Sequence, residues 1–130
     1  MARRFPNLRA RDLEGTEVDL PLALAGDPSV VIVAFERRQQ ATVDTWVPWL
    51  SGLRERVPGI EVYEVPTLPR RWLPARRLID GGMRAGIPDP STRRRTLTTY
   101  TDIPAVLAAL ALDGTDTIAV VAVGADGTIL

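Results

Sequence analysis

An unbroken run of six apolar residues, Val30–Phe35, constrains the fold of this chain more than any other feature. Four of the six are β-branched, the run is too short for a helix, and no polar residue alternates within it. Such a run is typical of a strand that is covered on both faces, as a central strand of a parallel sheet is. The polar segment Glu36–Gln40 follows directly. Because ligands usually bind at the carboxyl ends of strands in open α/β sheets, we expect any binding site near this segment.

The next two segments predict a βαβ unit. Residues 41–57 carry apolar side chains at helical spacing, and residues 60–65 alternate as a second strand does. Strand, helix and strand in this order favour a right-handed crossover between parallel strands. Pro48 lies inside the helical pattern, so either the helix kinks there or it begins with Thr45 as its N-cap.

The rest of the chain predicts short elements around these. They are a hairpin that turns at Glu14-Gly15, a helix from about Pro74 to Gly81-Gly82 or Gly86, a loop over 87–91, an extended piece over 96–100, a helix capped by Asp102 and closed by Asp113-Gly114, and a strand over 117–123. The chain stops three residues after a last turn at residues 125–127. We therefore expect the final strand to be cut short and a following helix to be absent.

Composition excludes several classes of function. The chain has no cysteine, which removes disulfides, thiolate nucleophiles and sulfur-ligated metals, and it has no histidine, the commonest general base and metal ligand. We predict no metal site and no cofactor, and no catalytic residue is assigned. Glu36 and Asp44 flank the segment after the central strand, but isolated carboxylates are usually surface groups.

Charge is unevenly distributed, although the net charge is zero. All sixteen basic residues are arginine. Eight of them lie within residues 66–96, which we define as the Arg-rich segment and which contain only two acidic residues, both aspartate. That segment carries a net +6, and the rest of the chain carries a net −6. The sequence thus predicts one domain over residues 1–130, with a basic insert in an acidic body.

Length and hydropathy favour a cytoplasmic globular protein. No apolar run approaches the length of a membrane span, and residues 1–6 contain two arginines but no apolar stretch of a secretory signal. The oligomeric state is left open by the sequence.

Two sets of residues are candidates for binding. The first follows the central strand, where a helix N-terminus favours anions, and the second is the Arg-rich segment. Trp49 joins them because it lies on the helix away from the main apolar stripe, and an exposed aromatic favours a protein interface. The alternative for each set is a solvated surface, and some arginines could pair with Glu61, Glu64 or Asp80. The candidate binding residues are Arg37, Arg38, Gln39, Gln40, Trp49, Arg70, Arg71, Arg76, Arg77, Arg84, Arg93, Arg94 and Arg95.

The order of elements resembles the thioredoxin-like redoxins. The likeness rests on the leading hairpin, the buried strand, the Pro-containing helix with Trp46–Leu50, and the terminal turn at Asp126-Gly127. More narrowly, Tyr63–Pro66, Gly82–Asp89 and Thr98–Asp102 resemble the thioredoxin-fold family that contains the mitochondrial ATP synthase assembly factor and its bacterial relatives. The resemblance implies a three-layer α/β/α fold with an N-terminal hairpin and a central mixed sheet.

The resemblance does not extend to thiol chemistry. It implies reactive cysteines in the loop after the buried strand, where this chain has Glu36–Ala41, and a cis-proline near residues 115–117, where it has none. Thiol-disulfide exchange and thiol peroxidase activity are therefore excluded. The first hypothesis is a non-redox binding or assembly module for a partner with an acidic surface. The alternatives are an enzyme that works without cysteine and a phosphate or nucleic-acid binder that uses the basic segment.

Overall fold

The computed structural model describes residues 3–130, so residues 1 and 2 lie outside it. Six strands form one mixed sheet in the order β2-β1-β5-β4-β3-β6. The strands are β1 (Leu8–Asp12), β2 (Glu17–Leu20), β3 (Ser29–Ala34), β4 (Glu61–Pro69), β5 (Leu97–Thr101) and β6 (Ala119–Val123). The helices are α1 (Gln40–Arg56), α2 (Arg76–Gly86), α3 (Pro90–Arg94) and α4 (Ile103–Leu110). Two 3-10 helices, Arg37–Gln39 and Arg70–Ala75, precede α1 and α2.

The predicted central strand lies inside the sheet. β3 pairs in parallel with β4 and antiparallel with β6, so that Val31 lies between Tyr63 and Val121. The side chains of residues 29–33 are all buried. Burial on both faces explains why this run is continuously apolar, and it confirms the α/β, thioredoxin-like fold.

Helices cover both faces of the sheet and make it the middle layer of three. On one face, Val30 and Ile32 pack in a cluster with Val43 and Leu50 of α1. On the other face, the core cluster that contains Val31 and Val33 also contains Val106 and Leu110 of α4. The predicted N-terminal hairpin is formed by β1 and β2, and it extends the sheet beyond β5.

α1 runs through Pro48, so of the two alternatives for this segment the start with Thr45 as N-cap is wrong. The helix begins five residues earlier, directly after the 3-10 helix, and the Thr45 hydroxyl donates to the carbonyl oxygen of Thr42 instead of capping (2.6 Å). The apolar residues on both sides of Pro48, Val43 and Leu50, are buried against the sheet. Their burial offsets the hydrogen bond that a proline inside a helix removes.

Three other boundaries differ from the prediction. β4 continues to Pro69, because its second half pairs with β5. The predicted loop over 87–91 ends early, since Asp89 caps α3 by accepting from the backbone N–H of Thr92. α4 ends at Ala111 in the left-handed conformation (φ 56°) rather than at the predicted Asp113-Gly114.

The helices of the Arg-rich segment lie on the body without entering its core. No residue of the 3-10 helix, α2 or α3, which together span Arg70–Arg94 and are called the insert helices below, is buried. Polar contacts join α2 to the sheet, since Arg76 pairs with Asp80, and Asp80 accepts from Thr98 and Tyr100 of β5.

Candidate functional site: a groove at the carboxyl ends of the parallel strands

A groove of about 680 Å³ opens where β3, β4 and β5 end. The three strands are parallel to one another, so their carboxyl ends meet at the same edge of the sheet. A ligand pocket typically has a volume of about 300–1,000 Å³. The lining residues are Phe35, Glu36, Pro69, Arg70, Arg71, Trp72, Thr101, Asp102, Ile103, Pro104 and Thr115.

One wall of the groove is cationic and aromatic. After β4 ends at Pro69, the 3-10 helix places Arg70, Arg71 and Trp72 on this wall. Both arginines are exposed, and neither makes an ion pair or hydrogen bond with any residue from 3 to 130. The Arg71 guanidinium lies 5.9 Å from the centre of the Trp72 ring, and Trp72 is 47% exposed. Two cations and one aromatic surface are thus open to a ligand.

The rest of the lining combines apolar residues with the start of a helix. Phe35 is buried, and Ile103 and Pro104 are the first residues of α4. Asp102 occupies the N-cap position, as predicted, but its side chain makes no capping hydrogen bond. Its exposed carboxylate therefore adds a negative charge to the lining of the groove.

The loop after β3 is held rigid by one buried side chain. Gln39 is only 3% exposed, and its Oε1 accepts from the backbone N–H groups of Phe35 (2.8 Å) and Glu36 (3.1 Å). Its Nε2 donates to the carbonyl oxygen of Thr115, 76 residues further along the chain (2.6 Å). Gln39 was a candidate contact residue, but its side chain joins the two loops beside the groove.

Glu36 is held in place by an ion pair within the same loop. Arg38 Nε lies 2.6 Å from Glu36 Oε2, and Arg38 Nη2 reaches Asp116, donating to its carbonyl oxygen at 3.3 Å. Arg38 is therefore neutralised by neighbours, whereas Arg37 next to it is exposed and has no such partner among residues 3–130. Gln40 is exposed and donates to Asp44 within α1 (2.9 Å).

Most of the other candidate arginines are engaged in structural contacts. Arg76 pairs with Asp80 (3.3 Å), and the two side chains are only 14% and 15% exposed. Asp80 also accepts from the hydroxyls of Thr98 (2.9 Å) and Tyr100 (2.8 Å). This cluster joins α2 to β5. Burial and the hydrogen bond to Asp80 raise the pKa of the Tyr100 hydroxyl above its usual value.

Three further arginines of the set differ in their contacts. Arg84 pairs with Glu14 of the N-terminal hairpin (3.5 Å), and Arg93 donates to the carbonyl oxygens of Ile87 and Arg84. Arg95 donates to the hydroxyl of Ser91 (2.9 Å).

Arg77 and Arg94 are exposed and make no hydrogen bond or ion pair within residues 3–130. Trp49 is exposed, as its position on α1 predicts, and packs edge-to-face on Trp46 with ring centres 5.8 Å apart. None of these three side chains lines the groove.

A second, smaller crevice of about 90 Å³ separates α1 from α3. Glu64 of β4 lies in it beside Arg95. Burial, and to a smaller extent the charge of Asp44, raise the pKa of the Glu64 carboxyl, whereas Arg95 opposes this rise. Of the acids considered for pairing with the basic segment, Glu61 instead pairs with Arg54 (3.2 Å).

The two carboxylates that flank the loop do not form a catalytic pair. Glu36 lines the groove and pairs with Arg38, whereas Asp44 accepts from Gln40 on α1 and lies close enough to Glu64 to act on its pKa. Within residues 3–130, no group of three acidic side chains is placed to hold a metal ion. Nor does any helix of this range have the length and apolarity needed to cross a bilayer.

Similar solved structures are thioredoxin-like. The thioredoxin domain of a thiol-disulfide oxidoreductase from Bacteroides vulgatus aligns with a TM-score of 0.65 and 18% identity, over 100% of this chain and 86% of that one. A thiol:disulfide interchange protein from Bacteroides sp. aligns with a TM-score of 0.64 and 20% identity, over 99% and 78%. BsSco, of the Sco family of cytochrome c oxidase assembly proteins, aligns with a TM-score of 0.58 and 12% identity, over 100% and 82%. No family model and no curated protein matches the chain.

The chain therefore has the thioredoxin-like fold, in a form without cysteine. At these identities the likeness concerns the fold. The groove described above lies at the end of the sheet where open α/β folds bind their ligands. The sequence selected Arg70 and Arg71 as candidate binding residues but not Trp72, Asp102 or Thr115, which also line the groove. The signal that could have found these three is their position shortly before or after a predicted strand.

Proposed function

We propose that this chain is a non-redox binding module that holds an acidic, partly apolar segment of a protein partner in its groove. The proposal rests chiefly on one observation: Arg70 and Arg71 line a groove of about 680 Å³ and have no ion-pair partner among residues 3–130. Unpaired arginines attract carboxylates, and their planar groups can bind them with two parallel hydrogen bonds.

The remaining groove residues favour a peptide over a simple anion. Trp72, Phe35 and Ile103 offer apolar and aromatic contact next to the arginines, and Trp and Arg are enriched where protein partners bind tightly. Asp102, which also lines the groove, would repel a uniformly acidic ligand. The favoured ligand thus has one or two carboxylates followed by an apolar side chain.

The absence of cysteine limits what such a module can do. It can hold and orient a partner, but it cannot exchange disulfides with it. A chain without cysteine can still act in binding or assembly, and these are the roles that we propose. A relation to the ATP synthase assembly factor family, and a cytoplasmic location, stay predictions from the sequence.

Titration of labelled peptides tests the proposal. The probe is a fluorescein-labelled nonapeptide with two adjacent aspartates followed by leucine and tryptophan, and the readout is fluorescence anisotropy. We expect binding that weakens by up to about fivefold for each of Arg70→Gln and Arg71→Gln, because an exposed ion pair contributes about 0.2–1 kcal/mol. Arg56→Gln, an exposed arginine of α1 outside the groove, is the matched control and should leave binding unchanged.

Two results would refute the proposal. One is equal binding of a peptide in which lysines replace the aspartates. The other is the same affinity for the Arg70→Gln, Arg71→Gln and Arg56→Gln variants. A cysteine-independent enzyme has no comparable support, since Glu36 and Asp44 have separate partners.

A further inference from the structure

Three large apolar side chains are exposed on the insert helices. Trp72 and Leu73 lie on the 3-10 helix, where Leu73 is 45% exposed, and Leu78 lies on α2 with 80% exposure. Arg76 and Asp80 of α2 form hydrogen bonds with β5. Because successive residues of a helix are about 100° apart, Leu78, midway between these two, lies on the side of α2 away from the sheet.

The insert helices also carry arginines that are not neutralised. Arg70, Arg71 and Arg77 are exposed and unpaired within residues 3–130. Of the acids of these helices, Asp80 is paired with Arg76, whereas Asp89 keeps its charge at the start of α3, where it accepts from Thr92. A segment with exposed cations, an exposed tryptophan and two exposed leucines has the combination of side chains that binds at a charged lipid interface.

The distribution of charge adds an independent argument. The Arg-rich segment is +6 and the remainder of the chain is −6, so the molecule has a large charge asymmetry although its net charge is zero. A negatively charged surface would therefore turn the insert helices towards itself and the body away.

We propose that the outer surface of the insert helices, defined by Leu73, Arg77 and Leu78, binds reversibly to anionic lipid bilayers. Leu73 and Leu78 enter the headgroup region while the arginines contact lipid phosphates. Nucleic acid would use the arginines but not the leucine that is 80% exposed, whereas a bilayer interface takes up both. None of the three defining residues lines the groove, so this inference does not depend on the proposed peptide binding.

Co-sedimentation with vesicles tests the inference. The probes are phosphatidylcholine vesicles with and without phosphatidylglycerol, and the measured quantity is the bound fraction at low and at physiological salt. We expect binding only to vesicles with phosphatidylglycerol, and weaker binding as salt is added. Arg77→Gln should lower the partition coefficient by about fivefold, since a basic residue near an anionic surface contributes about 1 kcal/mol.

The leucines provide the decisive comparison. Leu78→Ser should lower the partition coefficient by roughly tenfold, as expected for loss of a largely buried leucine side chain. Leu22→Ser is the matched control, because Leu22 is 88% exposed and lies in the loop after β2, outside the insert helices. Circular dichroism verifies that both variants are folded.

Three outcomes would overturn the inference. They are equal binding to both kinds of vesicle, equal partition coefficients for the Leu78→Ser and Leu22→Ser variants, and retention on heparin that is as strong as vesicle binding and unaffected by Leu78→Ser. The third outcome would indicate a polyanion such as nucleic acid as the partner instead.

Discussion

Replacement of Gln39 by alanine should destabilise this protein more than any other single change in the loop after β3. The change removes three hydrogen bonds at once, from the N–H groups of Phe35 and Glu36 and to the carbonyl oxygen of Thr115. The hydrogen bond from the Phe35 N–H is fully buried. Without Gln39 this N–H would have no acceptor, because water does not reach it.

The size of the effect follows from these three contacts. A buried polar group without a partner costs about 1–3 kcal/mol, and partly exposed groups recover some of that from water, so we expect a loss of about 2–4 kcal/mol in the free energy of unfolding. A domain of this size typically has a total of about 5–15 kcal/mol, so Gln39→Ala should remain folded. Urea denaturation followed by circular dichroism measures the loss, as a lower midpoint at an unchanged slope.

The neighbouring glutamine supplies a matched control. Gln40 is exposed and makes a single hydrogen bond to Asp44 within α1, so Gln40→Ala should cost less than about 0.5 kcal/mol. Gln39→Glu keeps the acceptor for Phe35 and Glu36 but has no donor for Thr115 when ionised. Its destabilisation should therefore shrink in acid, where the protonated carboxyl can donate again. Equal losses for Gln39→Ala and Gln40→Ala would refute this account of the loop.

Two further predictions concern buried charged groups. Asp80→Leu removes the ion-pair partner of Arg76 and the hydrogen-bond acceptor of Thr98 and Tyr100. It should lower the free energy of unfolding, measured by urea denaturation, by about 3 kcal/mol, whereas the double variant with Arg76→Met should lose clearly less because no charge is then left unpaired. Additive losses for the two changes would contradict this. Because the folded-state pKa of Glu64 is raised, its ionisation opposes folding, so stability from this group is lost as pH rises through that pKa. Glu64→Gln should therefore stabilise the protein at neutral pH and lose this advantage below the ordinary glutamate pKa, and a gain independent of pH would exclude the mechanism.

The elements that the sequence predicts well are those that depend on local pattern. The run Val30–Phe35 identifies a strand covered on both faces, and the apolar spacing after residue 40 identifies α1, whatever lies elsewhere in the chain. The alternative that the sequence left open within this helix also has a local cause. Pro48 and Thr45 together offer a second possible helix start, and the packing of Val43 and Leu50 on the sheet makes the longer helix favourable.

The candidate site was less predictable, because its character depends on pairing between distant segments. The Arg-rich segment reads as a uniform basic stretch, yet Arg76 is used to join α2 to β5 and Arg84 to join it to the hairpin. Arg70 and Arg71 remain available because they follow the end of β4, and neither of the two acids that line the groove with them, Glu36 and Asp102, forms an ion pair with them. Nothing in the local sequence separates these two groups of arginines.

The sequence by itself determined the α/β class, the central strand and the exclusion of thiol chemistry, since strand formation follows from a local apolar run and reactivity from the residue types present. Only the tertiary structure decided where a ligand could bind. The groove is assembled from four segments, residues 35–36, 69–72, 101–104 and 115, and Gln39 becomes a buried link only because the loop at Thr115 lies against it. Burial and pairing of a side chain depend on which distant parts of the chain surround it, and no local pattern contains that information.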